Sequence, residues 1–232
     1  MDKQMAYVQQ RTATTGELVS DTFDVLGASR REIAIYLAAF GAIGLLLAVD
    51  VLEGFLSTIS FLIYFPAQYW LCRQMLTRAG LTHDDRFRVF SFFGMAIILG
   101  LAIMVGFNVF WIPGILLGAK WVMAPCYLVA GKGNLFDAIG EAWRASDGNT
   151  LSMSLAYTAI GVIGIVVFWG VIVVATLTGS TFFESNDMVG NPIAGLFFSF
   201  SLNVVPIMMM ALSIAAYRLL SDEMEDLTEV FA

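Results

Sequence analysis

Six long apolar stretches alternate with short polar segments along the 232-residue chain. A helix needs about 20 apolar residues to cross a hydrocarbon core roughly 30 Å thick, and each stretch comes near that length. The pattern therefore predicts an all-α, polytopic membrane bundle of six transmembrane helices. The predicted spans cover about 33–49, 55–71, 89–111, 115–130, 151–177 and 193–217. They divide the chain into an N-terminal segment at 1–32, a membrane domain at 33–218 and an acidic tail at 219–232.

Two of the polar segments carry an apolar stripe at helical spacing, at 16–31 and 134–147. Such stripes predict amphipathic helices, which either lie at the headgroup boundary or pack on the ends of the spans. The two segments align with each other at an offset of 117 residues, with Ala28-Ser29 opposite Ala145-Ser146. The alignment predicts a parallel internal repeat of surface helix, outgoing span and returning span.

Composition supports the membrane assignment, and charge gives an orientation. Only 13% of the residues are charged and 59% are hydrophobic, with a mean hydropathy of +0.80. A soluble domain carries roughly 25% charged residues. Of the 12 Lys and Arg residues, all but Lys120 fall at the chain ends or in connections on one side of the predicted spans. Because basic residues are retained on the cytoplasmic side, both termini are predicted to be cytoplasmic.

Lys120 is the ionisable residue that this reading places inside a span, and such residues are functional candidates by default. It lies two turns into the fourth span, about 10 Å from the outer end. It either snorkels or pairs locally, with Asp50 or Glu53 as partner, or it serves a substrate or ion. Asn108 and Asn203 also fall inside spans, and we expect each to hydrogen-bond a neighbouring helix.

Prolines interrupt the three returning spans at Pro66, Pro125 and Pro206. Each frees a carbonyl and bends its helix, so the three kinks either frame a cavity at mid-membrane or shape a closed bundle. Gly114 and Gly118 form a GxxxG pair, which favours close helix packing.

The sequence contains no pattern typical of an enzyme. Cys72 and Cys126 lie in apolar stretches and are predicted to be buried free thiols. His83 has no second His or Cys at ligand spacing, so no metal site is expected. The HExxH and GxSxG motifs are absent. We therefore predict no catalytic, cofactor-binding or metal-binding residues and no enzymatic activity.

A series of small, basic and aromatic residues resembles a known membrane-protein family. The residues that carry the resemblance are Ala124-Pro125, Gly131-Lys132-Gly133, Ala138, Glu141, Trp143-Arg144 and Gly148. They are similar to those of the uncharacterised YciC-like bacterial inner-membrane proteins, which are related to the membrane domain beside glycerophosphoryl diester phosphodiesterases. Here Ala142 stands where that family usually has serine. The resemblance covers about 25 residues by motif. It implies a bacterial inner-membrane location and no activity, because no phosphodiesterase domain is attached.

Two hypotheses for the function follow. The first is a non-enzymatic accessory or scaffold subunit that binds membrane lipids or a partner membrane protein, in a larger complex or as a homo-oligomer. The second is a small transporter or channel with a mid-membrane site near Lys120 and Pro125. Neither involves nucleic acid. The scaffold predicts an apolar, filled interior, whereas the transporter predicts a polar cavity.

Overall fold

The computed structural model describes residues 12–47, 53–82, 87–177 and 192–221, and all of the regular structure in these ranges is α-helical. The helices are α1 (Thr15–Ala28), α2 (Arg30–Leu47), α3 (Glu53–Arg78), α4 (Val89–Val109), α5 (Trp111–Trp121), α6 (Ala124–Val129), α7 (Leu135–Ala145), α8 (Thr150–Leu177) and α9 (Pro192–Leu220). The all-α prediction is confirmed.

Within the described residues, four helical segments are long and apolar enough to cross a membrane. They are Val89–Val109, Trp111–Val129, Thr150–Leu177 and Gly195–Leu220, which correspond to the predicted third to sixth spans. Helices α2 and α3 form where the first two spans were predicted. That both helices cross the membrane stays a prediction, and α2 begins with the charged run Arg30-Arg31-Glu32.

The fourth predicted span corresponds to one candidate membrane-crossing segment, Trp111–Val129, which consists of two helices. It divides into α5 and α6 around Val122 and Met123, and Pro125 occupies the first turn of α6. A proline is tolerated in a first turn, where its missing N–H has no helical partner anyway. Pro66 and Pro206, by contrast, lie inside α3 and α9, which continue past them.

Helix α9 packs against α1, α2 and α8, while α4 and α5 form a hairpin that contacts α8 through α5. A close helix crossing joins Gly44 of α2 to Gly195 of α9. A Cβ atom at either position would lie closer than 3.0 Å to the carbonyl oxygen of the other glycine. Only residues without a side chain allow two helix backbones to approach this closely.

Helices α1 and α7, which cover the two segments predicted to be amphipathic, each begin with a capping box and direct small or apolar residues inward. In α1, Thr14 and Glu17 form the box, and Leu18 and Val25 are buried against α8 and α9. In α7, Asn134 and Asp137 form the box, and the helix packs mainly on α6 through buried Ala138 and Ala142. Two aromatic residues of α7, Phe136 and Trp143, remain exposed.

The joints that follow these two helices are alike. Ser29 and Ser146 are both buried, and each amide donates to the carbonyl four residues earlier, of Val25 and Ala142 respectively. Beyond the joints the packing differs, since α1 lies on α8 and α9 whereas α7 lies mainly on α6. The local similarity is consistent with a repeat, and the duplication as a whole stays a prediction.

Two ion pairs with buried carboxylates tie the polar ends of the helices together. Arg218, in the last turn of α9, pairs with Asp21 of α1. Arg78, at the end of α3, pairs with Glu32 of α2, with Nη2 to Oε1 2.6 Å and Nε to Oε1 3.0 Å. The Glu32 side chain is only 9% exposed. These pairs fix α1 to α9 and α2 to α3.

We predict that Glu32 makes stability depend on acid pH. A hydrogen bond from its own backbone, followed by Arg78, lowers the pKa of Glu32 against the raising effect of desolvation. A carboxyl with a lowered pKa in the folded state contributes stability above its unfolded pKa, and loses it as pH falls through the folded value. Glu32→Gln should therefore lower the thermal unfolding midpoint in detergent at neutral pH. The difference from wild type should shrink progressively below pH about 4.5. A constant difference at all pH values would contradict this.

Candidate functional site

Lys120 lies in the last turn of α5 and is held by two groups from the α7–α8 region. Its Nζ atom pairs with Oδ1 of Asp147, which lies between those helices, and stands 4.6 Å from the ring centroid of Trp143. The lysine side chain is 14% exposed, whereas that of Asp147 is 49% exposed. An ammonium group over an indole face gains cation–π energy in addition to its ion pair.

This arrangement differs from the partner expected for Lys120. The sequence suggested pairing toward the outer end, with Asp50 or Glu53; Asp50 and the Glu53 side chain lie outside what the structure describes. The structure instead joins Lys120 to the segment before α8, on the side where the other basic residues cluster. The physical reason is the packing of α7 against α5, which brings Trp143 and Asp147 to Lys120. A cation is also favourable in the last turn of a helix.

Asn203 belongs to a buried chain of hydrogen bonds that crosses three helices. Gln68 of α3 donates to the Tyr36 hydroxyl of α2 (2.7 Å), which donates to Oδ1 of Asn203 in α9 (2.6 Å). Asn203 in turn donates to the Ser199 carbonyl at 2.7 Å. The expectation that Asn203 bonds a neighbouring helix agrees with this geometry. Asn108 behaves differently, since it is exposed and donates to Met104 of its own helix at 2.8 Å.

Tyr36 and Gln68 were not singled out from the sequence, although a usable signal existed. Both are polar residues inside apolar stretches, as Asn203 is. In a bundle of this kind each buried amide or hydroxyl needs a partner, because an unpaired one costs about 1–3 kcal/mol. Three such residues on separate spans could have been proposed as mutual partners, but the sequence does not define which faces of the helices meet.

A cavity of about 220 Å³ lies between the apolar helices α4, α5, α8 and α9, next to the α5–α6 break. Its lining comprises Phe92, Leu99, Ile103, Gly118, Trp121, Val122, Pro125, Tyr157, Pro206, Met209, Met210 and Ser213. Two of the three prolines therefore meet at one cavity. Pro66 lies apart, beside an apolar recess between α3 and α4 that is also lined by Phe65 and Phe93.

The character of this cavity bears directly on the transporter hypothesis. No charged side chain lines it, and Lys120 is not part of its wall. The polar side chains in the lining are Tyr157 and Ser213, and the Ser213 hydroxyl hydrogen-bonds the Cys126 thiol at 2.9 Å. The space near Pro125 is thus apolar, and it suits an apolar guest better than an ion.

The two cysteines are free and buried, as predicted. Cys72 lies on α3 and Cys126 on α6, two helices that contact each other. In the part of the chain that the structure describes, no three His, Cys, Asp or Glu side chains gather as metal ligands. His83 lies outside that part.

Comparison with known proteins adds no relative: no family model, no curated protein and no solved structure matches the chain. The resemblance to YciC-like proteins therefore stays a prediction, and the function has to be argued from the geometry.

Proposed function

We propose that the chain is a six-span, non-enzymatic protein of the bacterial inner membrane, with both termini in the cytoplasm. It acts as an accessory or scaffold subunit that binds membrane lipid or a partner membrane protein. The observation that carries this proposal is that the buried polar groups and the cavity occupy different parts of the bundle interior. The buried polar side chains of Tyr36, Gln68 and Asn203 bind one another, while the cavity between α4, α5, α8 and α9 has no charged side chain in its lining.

The surface of the bundle supports residence in a bilayer. Large apolar side chains are exposed along the middle of α4 and α8, including Leu101, Val105 and Val166. In water, exposed apolar area on this scale would drive association. Adding α2 and α3 gives six spans, and the distribution of Lys and Arg then puts both termini in the cytoplasm. The exposed Phe136 and Trp143 of α7 suit the headgroup level, where aromatic residues are enriched.

The contacts of Lys120 argue against a transport role. A transport site needs a polar group that meets the substrate in a cavity or channel. Lys120 instead has its charge balanced by Asp147 and its ammonium placed over Trp143. A lysine held in this way anchors α5 to the start of α8.

We expect Lys120→Ala to leave the binding of partner proteins intact. Asp147 is half exposed, so losing the pair should cost no more than about 1 kcal/mol. The full chain, purified in mild detergent, should carry the same partner proteins with either residue, as measured by native mass spectrometry. Reconstituted into vesicles of phosphatidylethanolamine and phosphatidylglycerol, it should pass no more ions than protein-free vesicles. An ion flux that the wild type shows and Lys120→Ala abolishes would establish transport and reject the proposal.

A further inference from the structure

The apolar cavity between α4, α5, α8 and α9 has the size and setting to take up part of a lipid chain. An apolar cavity of about 150 Å³ is large enough to stay dry and take up a benzene-sized guest. At about 220 Å³ the present cavity exceeds that volume. It is also partly open, and it adjoins the middle of helices whose outer faces are apolar. The nearest guest in a bilayer is an acyl chain.

One wall of the cavity leads directly to charged groups. Trp121 lines the cavity, and its ring centroid lies 5.7 Å from that of Trp143. Trp143 in turn lies under the Lys120 ammonium, which pairs with the half-exposed Asp147. The Lys120 ammonium and the Asp147 carboxylate thus lie side by side, and the rings of Trp121 and Trp143 lie between them and the cavity. This charge pattern complements a headgroup that carries both a phosphate and an ammonium.

We propose that this region binds one glycerophospholipid with a zwitterionic, amine-bearing headgroup. One acyl chain occupies the cavity beside Ile103 and Met209. The headgroup phosphate lies toward Lys120, and its ammonium lies toward Asp147. Basic groups between spans on the cytoplasmic side are a recurring means of binding lipid phosphates. The inference rests on the proposed function, and it specifies the lipid that the scaffold would hold.

The chain-binding half can be tested by filling the cavity. The full protein is reconstituted in vesicles of equal phosphatidylethanolamine and phosphatidylglycerol, with a trace of phosphatidylethanolamine bearing a diazirine midway along one chain. Illumination should label peptides around Ile103 and Met209. Ile103→Trp should reduce that labelling about tenfold, since the indole takes the space of the chain. Leu101 lies two residues away and is exposed on α4, so Leu101→Trp should be labelled to the same extent as wild type. Val122→Phe fills the cavity from α5–α6 and serves if Ile103→Trp does not fold.

The assignment of the headgroup can be tested with two matched substitutions of acidic residues. Wild type should be labelled more by the phosphatidylethanolamine probe than by a phosphatidylglycerol probe with the same diazirine. Asp147→Asn should abolish that preference, because it removes the anion that faces the ammonium. Glu141→Gln should preserve it, since Glu141 pairs with Arg144 on the exposed face of α7.

Three results would overturn the inference. Labelling spread evenly over all lipid-facing positions, and equal in every variant, would indicate bulk bilayer lipid only. A change of oligomeric state on filling the cavity, with labelling unchanged, would indicate that a second copy of the chain occupies it. Equal labelling by both probes in wild type would remove the headgroup assignment. None of these results affects the proposed function, which depends on the separate ion-flux measurement.

Discussion

Gly44→Ala is expected to destabilise the bundle strongly, because it separates the two helices at their closest crossing. The new Cβ would approach the Gly195 carbonyl oxygen and the Ser199 hydroxyl oxygen closer than 3.0 Å. A side chain can rotate away, but a carbonyl belongs to the backbone, so α2 and α9 must move apart. Overpacking of this kind costs about 1–3 kcal/mol and occasionally more. The unfolding midpoint in detergent, followed by size-exclusion chromatography after heating, should fall clearly below that of wild type.

Two further glycine substitutions make this prediction specific. Gly195→Ala places its Cβ against the Gly44 carbonyl oxygen and should be equally harmful. Gly100→Ala on α4 is the matched control, since its Cβ would meet nothing within 4 Å. There the better helix propensity of alanine should keep stability equal or raise it by up to about 1 kcal/mol. If Gly44→Ala and Gly100→Ala gave the same midpoint, the close crossing of α2 and α9 would be wrong.

The glycine contacts also show what a sequence pattern can and cannot establish. Gly114 and Gly118 were predicted to allow close packing, and both do. Gly114 faces Phe107 of α4, whereas Gly118 faces Tyr157 of α8, so the pair serves two helices and not one. Gly44 and Gly195 form the closer crossing but lie 151 residues apart in the chain. Spacing within one helix carries no information about such a partner.

Lys120 and the buried hydrogen-bond chain show the same difference between what a sequence pattern predicts and what only the packing of the helices determines. The length of the apolar stretches predicted the bounds of α4, α8 and α9 to within a few residues. The length needed to cross a membrane depends only on the residues of one segment. The partner of Lys120 depends on tertiary packing, which the pattern of apolar residues does not define. In the structure α5 contacts α7, and Asp147 and Trp143 hold the lysine there. Likewise, the chain from Gln68 to Asn203 requires three helix faces to converge, which follows from tertiary packing alone.

Arg218→Met is expected to be the most damaging substitution among the ion pairs. It leaves the carboxylate of Asp21, whose side chain is 9% exposed, without its counter-ion. The second carboxylate oxygen of Asp21, Oδ2, already accepts no hydrogen bond within the described residues. Breaking a buried pair on one side costs about 3–5 kcal/mol, and we expect the lower end because Arg218 is itself partly exposed. Limited proteolysis of the purified protein should show release of α1, which this pair helps to hold on α9.

A double substitution separates the buried charge from the loss of packing. If the damage comes from the unpaired carboxylate, Asp21→Asn combined with Arg218→Met should recover most of the lost stability, since no charge is then left buried. Breaking the exposed pair on α7 with Arg144→Met is the matched control and should cost less than about 0.5 kcal/mol. A double variant as unstable as Arg218→Met alone would show that the arginine stem, and not its charge, holds α1 in place. Recovery would instead show that the damage in Arg218→Met comes from the buried, unpaired carboxylate of Asp21.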